Sequence, residues 1–217
     1  MGYIWTVNTQ NQIAVITGDI VNSSGLDERE KNDIQSWFNQ LTGENILLKP
    51  KFFRGDSFQL AVKPKLGLML ALRFRTELRS RNENNDARVS IGIGEVTSWN
   101  DDVLLANGPA FERSGKNLDT LKIKGLRIII VTGNKELDNE LETYCVMADS
   151  YISSLTSAQA KVISYKLEGL PQRKIGQILN ISQPAVSKAL KAATWKAINV
   201  FAERYKQIIE KNYGTSE

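Results

Sequence analysis

LTSAQAKVISYKLEGLPQRKIGQILNISQPAVSKAL, running from Leu155 to Leu190, spells out three helices in a row. Val162, Ile163 and Leu167 form one apolar stripe, Ile175, Ile178 and Leu179 a second, and Val186, Leu190 and Ala193 a third. Each stripe has the three-and-four spacing of a single helix face. Gly169 and Pro171 separate the first two segments as a stop and a start. Asn180-Ile181 makes a very short break, and Ser182 then stands where an N-cap belongs, its hydroxyl able to accept from an amide one turn on. Pro184 follows in the first turn, where a missing N–H costs little. Three short helices with tight turns are the layout that seats a recognition helix in a major groove. The expectation is a helix-turn-helix with DNA as partner; the alternative is a three-helix module for protein contacts.

Charge favours DNA. From Tyr151 onward there are ten Lys or Arg against four Glu, a balance of +6, whereas the whole chain of 217 residues carries +4. The positive charge is concentrated where phosphate contact is expected. Gln183, Ser187, Lys188 and Lys191 fall on the exposed side of the expected recognition helix, beside its cap Ser182. Gln and Lys address adenine or guanine edges, while Ser and Lys equally hold phosphates. Arg173 and Lys174 open the second helix, a suitable place for backbone phosphates. Helical sequence is expected to continue from the recognition helix to Asn212, with Leu190, Ala193, Ala197, Phe201, Tyr205 and Ile208 along one side. That side either covers the module's own core or forms a homodimer helix.

The chain has no His and one Cys. Ser-His and Cys-His nucleophile chemistry is therefore excluded, and any catalysis rests on carboxylates, lysines or an oxygen-bound metal. A lone Cys145 among apolar neighbours fits a buried thiol in a reducing cytoplasm. No apolar run is long enough to span a bilayer, and no basic-then-apolar signal pattern opens the chain, so no membrane partner is expected.

The N-terminal part reads as alternating strands and helices. Gln12–Thr17 is a strand ending at Gly18-Asp19, and Leu26–Leu41 an amphipathic helix. Ile46–Arg54 and Ser57–Val62 are strands joined by a Gly55-Asp56 hairpin turn. Leu66–Arg79 is a helix, Arg88–Glu95 an alternating strand, Pro109–Leu121 a helix and Leu126–Val131 a buried strand. The order β-α-β-β-α-β-α-β begins as a ferredoxin-like arrangement, an α/β (α+β) unit with helices expected on one face of the sheet. The expected division is 1–133 for this unit, 134–154 for a linker helix and 155–217 for an all-α helix-turn-helix unit with a long C-terminal helix.

Two acidic residues stand out. Asp19 ends the first strand and Asp56 sits at the hairpin tip, on neighbouring strands of such a sheet. Two carboxylates and a backbone carbonyl, that of Ile20, suit Mg²⁺ or Mn²⁺. Asn22, Ser23, Ser24 and Gly25 lead into a helix N-terminus whose amides can cradle phosphate, and Arg54 beside Gly55 is a further candidate ligand. The plainer alternatives are that Asp19 caps the following helix and that Asp56 only turns the hairpin.

Thr17-Gly18-Asp19-Ile20, Phe53-Arg54-Gly55-Asp56-Ser57-Phe58, Arg88-Val89-Ser90-Ile91-Gly92-Ile93-Gly94 and Gly108-Pro109-Ala110-Phe111 occur in the order of the catalytic domain of class III nucleotidyl cyclases, which this region resembles. The blocks ITGDIVNSS, RGDSFQ and NGPAF resemble still more closely the SatD family, small bacterial proteins that join a cyclase-like domain to a helix-turn-helix. The C-terminal stretch is similar to sigma-factor region 4 and response-regulator output domains. The cyclase resemblance implies a metal at Asp19, the Ile20 carbonyl and Asp56, a nucleotide ligand, and an active site between two protomers. The chain departs from cyclases where they carry an Asn and an Arg for ribose and phosphate. Those places fall near Glu112 and Lys116, with Arg113 as a shifted substitute. Lys116 can balance phosphate charge without the bidentate fork of Arg. The sequence names no catalytic residue; it leads to a nucleotide-sensing transcription regulator, with metal-dependent phosphoryl transfer as the enzymatic alternative.

Overall fold

Ten residues, Gln12–Val21, form the central strand β1 of a mixed α/β protein, seen in a computed structural model that describes residues 12–214. After β1 come α1 (Glu28–Asn39), β2 (Ile46–Phe53), β3 (Ser57–Val62), α2 (Gly67–Arg81), β4 (Asp86–Glu95), α3 (Pro109–Lys124), β5 (Ile128–Val131) and α4 (Lys135–Ser153). Four more helices bring the number among the described residues to eight: α5 (Ser157–Leu167), α6 (Gln172–Leu179), α7 (Gln183–Ala192) and α8 (Trp195–Tyr213). The five strands lie in the order β2-β3-β1-β4-β5. β1 is antiparallel to both β3 and β4, β2 to β3, and β5 joins β4 in parallel.

β1 runs four residues beyond the expected end at Thr17. Gly18 is not a strand terminator here; it pairs with Phe58 on one side and Val89 on the other. A Cβ at Gly18 would collide with the Phe58 ring and lie 2.5 Å from the Arg88 carbonyl oxygen. The glycine thus serves close approach rather than a turn.

Helices cover both faces of the sheet, not the single face expected. On one side Ile16, Phe58, Leu60, Val89, Ile91 and Ile93 pack with Ile34 and Phe38 of α1, Leu72 and Leu78 of α2, and Leu141 of α4. Phe38, Phe58 and Phe74 meet there with ring centroids 4.4–5.0 Å apart, within the range of favourable aromatic pairs. On the other side Ile13, Val15 and Ala61 pack with Ala110 and Phe111 of α3. β4 makes room for α3 by presenting glycine: a Cβ on Gly92 would lie 2.5 Å from the Ser114 amide nitrogen.

The first apolar cluster does not stop at the sheet. It continues through Ala160, Ile163, Val186, Ile198, Phe201 and Tyr205. The Tyr205 hydroxyl donates to the Pro64 carbonyl at 2.6 Å, and the Tyr144 ring stacks on Phe201. Of the two roles open for the C-terminal apolar side, its residues are occupied by the chain's own core. The expected single helix from α7 to Asn212 is broken: Thr194 adopts a left-handed conformation, φ 53°. That turn lets Val186 and Leu190 of α7 and Ile198 and Phe201 of α8 share one core.

A buried ion cluster fastens the layers. Arg75 of α2 is fully buried. Its Nε and Nη2 donate to the two carboxylate oxygens of Asp86, each at 2.8 Å, and its Nη1 lies 2.8 Å from Asp149 of α4. Burial works against both charges of the Arg75–Asp86 pair. Their mutual attraction outweighs it, holding Arg75 above its ordinary value and Asp86 below the usual carboxylate range. Asp86→Ala, which leaves Arg75 with Asp149 and the Ser153 hydroxyl, is expected to lower stability by about 3–5 kcal/mol. A depressed carboxyl stabilises above its unfolded pKa of about 3.9 and loses that contribution as pH falls below it. Urea midpoints at pH 7 and pH 3 are therefore expected to differ less in Asp86→Ala than in the natural protein. An equal drop in both would show that Asp86 is not the group responsible.

Candidate functional site

The hairpin between β2 and β3 brings part of the sequence-predicted site together. Arg54 and Gly55 take the two left-handed positions, φ 53° and 89°, so the strained pair is Arg54-Gly55 and not Gly55-Asp56. Asp56 follows, and its backbone carbonyl accepts from the Ile20 N–H at 3.1 Å. The Ser23 hydroxyl donates to Asp56 Oδ2 at 2.6 Å. A cleft of about 460 Å³ opens beside this contact, a size suited to a small ligand. Its walls include Ile20, Ser23, Ser24, Arg54, Gly55 and Asp56, together with Lys31, Asn32 and Gln35 of α1.

Asn22 precedes the cleft in a left-handed conformation, φ 59°, and Ser23–Gly25 form a 3₁₀ turn. The amides of Gly25 and Leu26 donate back to Asn22 and Ser23 at 2.9 and 3.2 Å, so those two are not available to a phosphate. α1 is capped by Asp27, whose side chain accepts from Glu30 N–H at 2.8 Å while Glu30 returns the contact. Asp19 is therefore not the cap. With Asp27, Glu28 and Glu30 at its start, the α1 terminus is also a poor place for an anion. Lys31, which pairs with Glu28 of the same lining at 3.0 Å, and Arg54 are the cations of this cleft.

Asp19 faces away from the cleft. On the α3 side of the sheet its neighbour in alternation, Thr17, lies 2.8 Å from the Ser114 hydroxyl. There Asp19 Oδ1 accepts from Arg88 Nη1 at 3.1 Å, and Oδ2 lies 3.4 Å from Lys122 Nζ of α3. Both oxygens of this largely buried carboxylate thus have a cation. Lys116 is on the same side and pairs with Glu112 at 3.1 Å, on the exposed surface of α3. Arg113 is spent on structure, donating to the Ile93 carbonyl. Among the described residues no group of three or more Asp, Glu, Cys or His is placed to hold a metal ion. Asp19 is thus bonded to Arg88 and Lys122, and Asp56 to Ser23. Lys31 and Gln35 went unnoticed in the sequence although their four-residue spacing puts them on one helix face; nothing in the sequence foretold Lys122 as a partner of Asp19.

The second candidate surface lies on α6 and α7. Asn180 closes α6 in a left-handed conformation, φ 53°, and the Ile181 N–H donates to the Gly176 carbonyl at 2.9 Å. A Cβ on Gly176 would lie 2.7 Å from the Ile181 oxygen, so the tight turn needs glycine there. The Ser182 hydroxyl caps α7 by accepting from Ala185 N–H at 3.3 Å. Ile175, Val186 and Leu190 are buried beneath the pair of helices. Ile178, expected in the apolar stripe, is 44% exposed. Arg173, Lys174, Ser182, Gln183, Ser187, Lys188 and Lys191 are all exposed, and Gln183 Nε2 donates to Gln172 Oε1 at 3.1 Å.

This surface is anchored to the sheet through α2. Glu77 takes Lys161 at 3.3 Å and the Ser164 hydroxyl at 3.3 Å, both from α5. Arg79 Nη2 donates to the carbonyls of Ser153 and Leu155 at 2.8 and 2.9 Å. Among the described residues no helix is long and apolar enough to cross a membrane.

No curated protein and no solved structure matches the chain. A family model does, over residues 12–208, which takes in the sheet, the cleft and the helices that follow. On that match the chain belongs to the SatD family.

Proposed function

We propose that this protein is a DNA-binding transcription regulator whose helix-turn-helix reads DNA and whose sheet-bearing unit senses a nucleotide or a related phosphate ligand. The observation that carries the reading is the division of α7 into two sides: Val186 and Leu190 are buried, while Gln183, Ser187, Lys188 and Lys191 are exposed. A helix held by its apolar side and presenting amides, hydroxyl and ammonium groups is suited to a major groove. The +6 balance from Tyr151 onward supplies the counter-charge for phosphates.

The finer fold reading belongs to the same proposal. The order β2-β3-β1-β4, with neighbouring strands antiparallel, agrees with a ferredoxin-like, cyclase-type sheet. In this reading residues 134–154 connect that sheet unit to an all-α unit at 155–217. A nucleotide would occupy the cleft beside Asp56, with Lys31 and Arg54 facing its phosphates and Asn32 and Gln35 supplying amides. Mg²⁺ or Mn²⁺ would enter only on the phosphates, because Asp19 is already balanced by Arg88 and Lys122. The same ion pairs weigh against the enzymatic alternative, which needs both carboxylates for metal. The setting proposed is the cytoplasm, and the DNA-bound form a homodimer, since one small helix-turn-helix spans a single half-site.

Lys188→Ala is expected to weaken binding to every DNA tested and to reduce the slope of log affinity against log salt by about 1. Fluorescence anisotropy at several salt concentrations checks this; an unchanged slope removes Lys188 from the phosphate contacts. For the sensing half, a nucleoside triphosphate is expected to raise the melting temperature, with about 2.7 kcal/mol of stabilisation at 100 times its Kd. Mg²⁺ alone is expected to do nothing, and Ser23→Ala with Arg54→Ala to abolish the nucleotide effect. A shift that survives both substitutions would place the ligand elsewhere, and none with any nucleotide would leave DNA binding alone.

A further inference from the structure

We infer that Gln183 is a specificity-determining residue that selects adenine at one position of each half-site, and that Gln172 is the positioning residue that aims it. The inference rests on the DNA-binding reading above and names what that surface recognises.

Gln183 is the first residue of α7, directly after its cap Ser182, and it is exposed. The leading residues of a recognition helix are those that reach base edges. An exposed glutamine on a free helix normally samples many rotamers, and fixing one costs entropy at binding. Here the side chain is already held, because Nε2 donates to Oε1 of Gln172, the first residue of α6. A carboxamide carries two N–H donors and one carbonyl acceptor. The bond to Gln172 uses one donor. When that donor is the N–H pointing away from the carbonyl, the N–H that remains stands beside the carbonyl oxygen in a single plane, the complement of adenine N7 and N6–H₂ in the major groove. Guanine offers acceptors at both N7 and O6, so the Gln183 carbonyl would face another acceptor. Adenine is therefore favoured over guanine by the same group.

Gln172 sits next to Arg173 and Lys174, both exposed at the start of α6. Its own amide N–H groups are not used in the bond to Gln183, so they can join those cations on a backbone phosphate. A phosphate contact would then fix the depth at which Gln183 enters the groove, linking register to base choice. Ser187 lies one turn along α7 on the same side and is free to address the neighbouring base pair.

The test is selection of binding sites from a randomised duplex library with the full chain, followed by anisotropy on the winning sequence and its single-base variants. The natural protein is expected to enrich one adenine per half-site. Replacing that adenine by guanine, or by 7-deaza-adenine, which lacks N7, should weaken binding about 5- to 150-fold. Gln183→Ala should lose that discrimination at that position only. Gln172→Ala should retain the adenine preference but narrow it, and Lys188→Ala should lower affinity while leaving the preference intact. An enriched motif unchanged in Gln183→Ala overturns this inference and leaves DNA binding standing. No enrichment by the natural protein, with no binding to any duplex at low salt, overturns both. Circular dichroism of each variant separates loss of contact from loss of fold, and a folded Gln183→Ala that still discriminates counts against the proposal.

Discussion

Arg75 has no water to fall back on. A guanidinium that is fully buried must find oxygen partners within the protein or not be there at all, and it finds them on the first residue of β4, Asp86, and near the end of α4, Asp149. That requirement fixes the angle of α2 across the sheet and the point at which α4 must pass. α2 is in turn the element that carries Glu77 and Arg79, which hold α5 and the chain at Ser153 and Leu155. The place of the exposed face of α7 therefore descends, through α5, from one buried ion cluster.

The local alternation in β4 and the stripes of α5 and α7 were legible because each is set by burial on one side. Where the sequence misled, the cause was a glycine or a long-range partner. Gly18 looked like the end of a strand but admits the Phe58 ring, and Gly92 within the β4 alternation admits the backbone of α3 to the far face of the sheet. Thr194 gave no sign of a break, since nothing local favours a left-handed threonine; the common core of α7 and α8 selects it. The site divided in the same way. Ser23, Arg54 and Asp56 meet because they flank short connections, whereas Asp19 turns to Lys122, a residue far along the chain on a helix expected on the other face. The turn chemistry of Gly176, Asn180 and Ser182 is local, which is why the short helices α6 and α7 and the turn between them were legible.

These contacts also constrain the coupling that the proposed function calls for between the cleft and α7. The usual picture of two units on a flexible linker needs a hinge near Ser154. Here the carbonyls of Ser153 and Leu155 are gripped by Arg79, and α5 shares an apolar core with α2 and α8. Swinging α5–α7 away would expose that core and strip Glu77 of Lys161 and Ser164, at a cost beyond the few kcal/mol that a single ligand supplies. Under the proposed reading, a signal from the cleft would have to travel by moving α1 and the hairpin at the sheet edge, with α5–α7 staying on the sheet. In the proposed dimer, such a change would alter the spacing of the two copies, each carrying its α7 with it. Coupling of this kind would change which half-site separation the proposed regulator binds and leave the proposed preference at each base untouched, because Gln172 and Gln183 stay bonded to one another.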